Sequence, residues 1–281
     1  GMVSTLKAGI VYADKLTTVS PRHRYELLKP GSHMGLDVVL RFREYDFFGV
    51  LNGIDYEEFN PHDDKLIPYQ FNLVNFFKQK SLNKEALCQK LNLQDPNKPL
   101  FGFVSRLTWQ KGLDVLFPTI EHLAAEGNNI VILGSGEARY EQILEGLRAK
   151  YPEHVSIYIG YNDELAHQIY ASSDFFFMPS LFEPCGLSQM IAMRYGTLPI
   201  VRRTGGLRDT VINYDGTNEM VSNGFGCDIY DAYEYMNVCD YALQTYNNLA
   251  LRKTLMKNAM RSDNSWAKSS AEYLNLYKQS R

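Results

Sequence analysis

From Pro99 onward the chain alternates short, unbroken apolar runs with longer stretches of helical period. Such alternation predicts repeated βα units and a mainly parallel sheet, because a strand covered on both faces is apolar throughout while its crossover helix is not. Leu100-Phe101-Gly102-Phe103-Val104 reads as the first buried strand. Residues 112–125 follow as a helix with Leu113, Leu116, Ile120 and Leu123 on one face, and Pro118 confines a kink to its first turns. The strand Asn129-Ile130-Val131-Ile132-Leu133 then runs into Gly134-Ser135-Gly136 and a charged helix ending near Lys150. The cycle recurs with Val155-Ser156-Ile157-Tyr158-Ile159, a helix over 163–171 and the strand Phe175-Phe176-Phe177-Met178. It recurs again with a helix over 186–195, Gly196 as its glycine stop, and Leu198-Pro199-Ile200-Val201. These cycles predict an α/β fold built on a doubly wound, Rossmann-like parallel sheet.

The two ends are patterned differently. Residues 1–50 offer only two strand candidates, Leu16-Thr17-Thr18-Val19 and Phe48-Gly49-Val50-Leu51, too few to bury a core alone. Their open edges and apolar face predict a homodimer or pairing with a partner through this region. Residues 53–64 are rich in turn formers and acids and mark a linker or boundary. Residues 266–277 read as a terminal helix, with Trp266, Ser270, Tyr273 and Tyr277 at three- and four-residue steps. The expected division is therefore 1–52, 53–264 and 265–281.

Composition narrows the partners. At 45% hydrophobic and 22% charged residues, 281 residues suffice for one large α/β domain or two modest ones, and a disordered or fibrous chain is excluded. Lys and Arg number 29 against 32 Asp and Glu, with no basic block, so nucleic-acid and membrane-surface binding lack electrostatic support. A small molecule or neutral polymer is the expected partner. Cys88, Cys185, Cys227 and Cys239 lie far apart without a CxxC pair, arguing against a disulfide framework or a zinc site and favouring a reducing cytoplasm. No apolar run approaches the roughly 18 residues of a membrane span, and the start lacks a signal-peptide layout. Gly1 ahead of Met2 reads as the scar of a cleaved tag. The 19 tyrosines suit sugar and base contacts, although ordinary packing accounts for most such rings.

Four groups of residues carry candidate chemistry. Arg106 directly follows a strand and Lys111 precedes a helix, so both project from the carboxyl edge of the sheet, where two cations suit a diphosphate; solvated surface charges are the alternative. Pro184-Cys185-Gly186 after Glu183 places a carboxylate at a strand-to-helix turn and leaves the amides near Gly186, Leu187 and Ser188 for an anion. Read blandly, Glu183 is a dipole partner and Cys185 a small buried filler. Gly134-Ser135-Gly136 is either a phosphate-binding turn or a tight structural one. Gly160-Tyr161 ends a strand with a ring able to stack on a nucleobase or to fill a core.

Several motifs, in order and spacing, resemble the bacterial glycogen synthase and plant starch synthase family. They are Asn52-Gly53-Ile54-Asp55, the stretch from Ser105 to Gly112, Gly134-Ser135-Gly136, Gly160-Tyr161, Phe182-Glu183-Pro184-Cys185-Gly186-Leu187, and the run from Tyr195 to Leu207. The likeness extends from Lys7 to the Ser265-Trp266 helix. It implies the GT-B fold, two Rossmann-like domains across a cleft, and transfer of glucose from a nucleotide sugar, usually ADP-glucose, to the non-reducing end of an α-1,4-glucan with retention. By motif, Arg106 and Lys111 would neutralise the diphosphate, Glu183 would face the sugar, and Tyr161 would stack on adenine. The Leu187 and Ser188 amides would hold phosphate oxygens, and Asn52 would reach the glucose from the hinge. ADP is then the product, and neither a metal nor a cofactor is expected, since two cations and a helix start stabilise the developing charge. The Glu-Pro-Cys-Gly-Leu form disfavours a UDP-glucose enzyme.

Two departures qualify the resemblance. Where the wider class has a second Glu eight residues after the first, generally a ribose contact, this chain has Ile191. The family's amino-terminal domain would precede Lys7–Asp14, so residues 1–52 are expected to be the remnant of that domain plus the hinge, 53–264 the nucleotide-binding domain, and 265–281 the crossover helix. Alone, such a half would bind donor without full activity, or serve as a non-catalytic nucleotide-, glucan- or partner-binding module.

Overall fold

The computed structural model describes residues 4–31 and 35–280. Gly1, Met2 and Val3, and the tag reading that rests on them, lie outside the described residues.

The amino-terminal unit opens with α1 (Thr5–Tyr12), whose Lys7 amide donates to the capping Ser4 Oγ. Strand β1 (Leu16–Thr18) pairs in parallel with β2 (Phe47–Gly49). The crossover carries α2 (Pro21–Leu27), capped by Ser20 with Pro21 in its first turn, and α3 (Asp37–Phe42). Ile10, Leu40 and Phe47 form a separate small core. As two strands require, the unit leans on the larger domain. Ser20 Oγ donates to Pro184 O at 2.6 Å, the Arg22 amide donates to Asp209 Oδ2 at 2.8 Å, and Glu26 Oε1 accepts from the Gly205 amide at 3.0 Å.

The larger domain follows α4 (Phe76–Leu91). Its six strands are β3 (Leu100–Val104), β4 (Asn129–Gly134), β5 (Val155–Ile159), β6 (Phe175–Met178), β7 (Leu198–Arg202) and β8 (Phe225–Cys227). All are parallel, in the order β5-β4-β3-β6-β7-β8. The chain builds outward from β3 and then from β6 in the opposite direction, so the switch point lies between these two strands. The helices are α5 (Leu113–Ala125), α6 (Ala138–Lys150), α7 (Asp163–Ser172), α8 (Ser188–Arg194), α9 (Gly205–Thr210), α10 (Ala232–Tyr246) and α11 (Leu249–Arg261). Strand β4 is buried at every position, as its unbroken apolar run requires. Helix α12 (Trp266–Gln279) returns to the amino-terminal unit, where Glu272, Asn275 and Leu276 line a cleft with Phe47 and Phe48. No helix among the described residues is long and apolar enough to cross a membrane.

Several details depart from the sequence pattern. Helix α5 runs without interruption through Pro118. Helix α8 starts at Ser188 rather than 186, because Gly186 has a φ of +73° that a helix cannot include. Gly196, at φ +69°, does end it as expected. The inward face of α12 is Ser269 and Leu276 with Tyr273 half-buried, while Trp266 and Tyr277 face solvent. Residues 53–64 are no free linker: Ile54 and Asp64 are buried, and the Ile54 amide donates to Asn264 O at 2.8 Å.

Candidate functional site

The carboxyl ends of β3, β4 and β5 enclose a cavity of about 250 Å³ whose lining includes Val104, Arg106, Gly134, Gly160, Tyr161 and Asn162. Arg106 leaves β3 at its end and is exposed, and among the described residues no group pairs with its guanidinium. Tyr161 is 87% exposed, with its hydroxyl donating to Asp163 Oδ1 at 3.4 Å. Its ring is therefore a surface platform and not a core filler. Gly160, at φ +139°, bends the chain at this point while its amide continues the sheet to Gly134 O at 2.9 Å.

The two glycines of Gly134-Ser135-Gly136 part company. A Cβ on Gly134 would sit 2.0 Å from Ser105 O, so the floor of the cavity requires glycine. Gly136 lies outside the cavity lining and pairs with Leu107 as an isolated parallel bridge. Its amide is taken by Glu141 Oε1 at 2.9 Å, which leaves a structural turn at this position.

Seventy-two residues apart in sequence, Lys111 and Glu183 meet with Nζ 2.6 Å from Oε2. A 3₁₀ turn over Trp109–Lys111 is locked to the loop after β6: the Leu181 amide donates to Gln110 O at 2.9 Å, Gln110 Nε2 donates to Phe182 O at 3.2 Å, and Trp109 lies against Phe182. Gly112, at φ +71°, permits this closeness, since a Cβ there would lie 2.1 Å from Pro179 O. Ser180 Oγ also donates to Glu183 Oε2, at 3.2 Å. The pair is mostly withdrawn from water, with 14% of the Lys111 side chain and 8% of the Glu183 side chain exposed.

Beyond Glu183 the chain passes through half-buried Gly186 and exposed Leu187 into α8, whose first turn has no side-chain cap. Its leading amides have no side-chain acceptor among the described residues, and Ser188 Oγ donates to Val104 O, at the end of β3, at 3.5 Å. Cys185 is buried, and burial pushes its thiol up to about 11 despite a hydrogen bond from the Asn52 amide. It is the small filler of the bland reading. Asn52 itself lies in a narrow crevice with Met190, Ser265 and Lys268, apart from the Arg106 cavity. Ile191 is a buried core residue.

Three positioning residues escaped sequence reasoning. Arg202, at the end of β7, donates through Nε to Ser180 O at 2.8 Å and through a second nitrogen to Leu181 O. Burial lowers its pKa, and these carbonyls help to hold its charge. Gln189 is fully buried and donates to Cys185 O and Gly186 O, clamping the turn. Glu26 reaches Gly205 from the amino-terminal unit. Arg202 alone had a legible signal, a cation immediately after a strand like Arg106.

Comparison with known proteins gives a consistent neighbourhood. A family model described as glycosyl transferases group 1 matches residues 84–261, and one described as starch synthase catalytic domain matches residues 1–42. Glycogen synthase of Kosmotoga olearia is 45% identical over 278 residues, covering 99% of this chain and 58% of that protein. Glycogen synthase of Clostridium perfringens is likewise 45% identical, over 280 residues, with 58% of its length covered. The catalytic domain of starch synthase IV from Arabidopsis thaliana, bound to ADP and acarbose, superposes with a TM-score of 0.92 at 36% identity. That match covers 98% of this chain and 57% of the other. The chain therefore spans a little under three-fifths of the relatives it matches.

Proposed function

The chain belongs to the group 1 glycosyl transferases, among the glycogen and starch synthases, and from that premise we propose that it binds the nucleotide sugar of a retaining glucosyltransferase. The donor is ADP-glucose, the acceptor the non-reducing end of an α-1,4-glucan, and ADP is released. The observation that carries the reading is the convergence of unpaired Arg106, the Lys111–Glu183 pair and the uncapped start of α8 on one edge of the sheet. As the glucose C1–oxygen bond to the diphosphate breaks, the electron pair stays on the leaving phosphate. Arg106 and the Leu187 and Ser188 amides stabilise that charge, joined by Lys111, whose ammonium is shared with Glu183. The acceptor hydroxyl oxygen forms the new bond to C1 on the same face and gives up its proton to the departing phosphate oxygen. Tyr161 stacks on the adenine above the cavity, and Glu183 lies toward the transferred sugar. Asn52 reaches the glucose only with movement at the crossing of 50–54 and 264–266. With Ile191 in the core, the ribose is held by other groups. No metal or cofactor takes part in this scheme.

The exposed rings of Tyr12, Phe42 and Tyr45 support pairing of residues 4–50 with another protein surface, a second copy or the amino-terminal domain that the resemblance implies. Light scattering across micromolar concentrations separates the two, since only self-pairing raises the mass of the chain alone. Calorimetry with ADP tests the donor site: binding that is absent, or unaffected by Arg106→Ala, overturns it. Incubation with labelled ADP-glucose and glycogen then measures turnover. Binding without incorporation assigns this chain the role of a nucleotide-binding module.

A further inference from the structure

Behind Tyr161, the segment 55–64 meets the start of α7 around His167. This side chain is 2% exposed and its ring is fixed on three sides. Phe59 stacks on its face with centroids 5.0 Å apart, Tyr195 meets it edge-on, and Asp64 Oδ2 lies 2.8 Å from Nδ1. Asp64 is itself held by the Tyr195 hydroxyl at 2.5 Å and, through Oδ1, by the Leu66 amide at 2.8 Å. All of this leaves Nε2, which is buried and, among the described residues, has no hydrogen-bond partner. Asp163 Oδ1, one turn earlier on α7, stands 3.9 Å from it, and a Glu58 carboxylate oxygen lies within 4.8 Å of both.

We propose that Glu58, Asp163 and His167 Nε2 form a binding site for a divalent transition-metal ion of the zinc type. A carboxylate on Nδ1 fixes the imidazole tautomer so that Nε2 presents its lone pair, the outer arrangement that metal-binding histidines use. Two carboxylates facing Nε2 favour a cation there, either a proton on the imidazole or a metal ion that displaces it. One imidazole and two carboxylates suit Zn²⁺ or Co²⁺, whereas Mg²⁺ and Ca²⁺ prefer oxygen alone. Tetrahedral bonds of 2.0–2.1 Å place ligand atoms about 3.3 Å apart, so the exposed Asp163 and Glu58 side chains close the present spacing by small rotations. A solvent molecule completes the coordination. The bound ion ties segment 55–64 to α7 and fixes Asp163, the acceptor of the Tyr161 hydroxyl. It takes no part in sugar transfer, and the site stands or falls independently of the nucleotide reading.

Calorimetric titration of the full chain with Zn²⁺ alone tests the site. One saturable site is expected, weakened at least tenfold by Glu58→Gln and by Asp163→Asn, both exposed positions whose substitution leaves the core intact. Co²⁺ should give the visible absorption of a four-coordinate ion, lost in the same variants. A second group, His122, Glu126 and Asp240, serves as the control, because Asp240 already occupies His122 Nε2 at 2.9 Å. The proposal is overturned by the lack of saturable binding below millimolar Zn²⁺, by binding unchanged in both carboxylate variants, or by binding abolished in Asp240→Asn.

Discussion

Arg106 and Lys111 stand five positions apart, yet the fold assigns them different circumstances. Among the described residues Arg106 has no partner to lose, so Arg106→Ala should leave the denaturation midpoint essentially unchanged. It should weaken ADP binding roughly 10- to 100-fold in calorimetry, since a charge-assisted hydrogen bond is worth about 1.5–3 kcal/mol. Lys111 is already committed to Glu183. Lys111→Met strands a largely buried carboxylate and should lower stability by roughly 3 kcal/mol in denaturant titrations, with the Lys111→Met/Glu183→Leu double variant losing less than the two singles combined. Identity and spacing sufficed to select both cations in the sequence. Their pairing state was not legible, because a contact across 72 residues depends on how tightly Gly112 lets its loop approach Pro179.

Among the elements, glycines bring the working loops together. Gly205 and Gly206 pack against the backbone of 183–185: a Cβ on Gly206 would lie 2.0 Å from Cys185 O, and the Gly206 amide donates to Glu183 O at 3.0 Å. Gly206→Ala should therefore cost about 1–3 kcal/mol by overpacking and displace Glu183, and in the proposed reaction it should reduce transfer more than ADP binding. The strands and helices between Leu100 and Arg202 were readable because each is apolar at the expected period. Helix α4 was not, since its inward face carries Lys80 and Lys84, which imitate a solvated surface. Lys84 Nζ lies 2.7 Å from Asp174 Oδ2, and Lys80 Nζ donates to Ala171 O and Thr197 Oγ1. Burial pushes the Lys80 ammonium down to about 7, against the pull of Asp174. The unfolded chain then keeps a proton that the folded chain has released, so this group makes stability rise as pH increases from about 7 towards 10.5. Melts of the wild type should show that rise relative to Lys80→Met. Strand β8, three residues long, and helices α10 and α11, whose polar faces dilute the apolar period, were missed for related reasons.

At the scale of the whole molecule, Glu26 is one of the groups, with Ser20 and Arg22, that fasten the amino-terminal unit to the sheet domain. Burial acts to raise its pKa, but hydrogen bonds from His23, the Gly205 amide and Thr204, with the Arg22 charge, outweigh burial and hold it at about 2. A lowered carboxylate stabilises docking at neutral pH, and the contribution disappears as pH falls from about 4.5 towards 2. Hydrogen exchange over residues 16–27 should accelerate across that window beyond its intrinsic pH dependence, and Glu26→Gln should abolish the step. A further fastening is mechanical. Gly53 lies so close to the returning chain that a Cβ would come within 2.3 Å of the Trp266 amide, and the Ile54–Asn264 hydrogen bond ties outgoing and incoming strands side by side. Two cords joined along their edges behave as a ribbon, compliant to bending across its flat face and stiff to torsion. Any relative movement of the two units would therefore be easier by bending across this ribbon than by twisting, and it would carry Asn52 along a bending path.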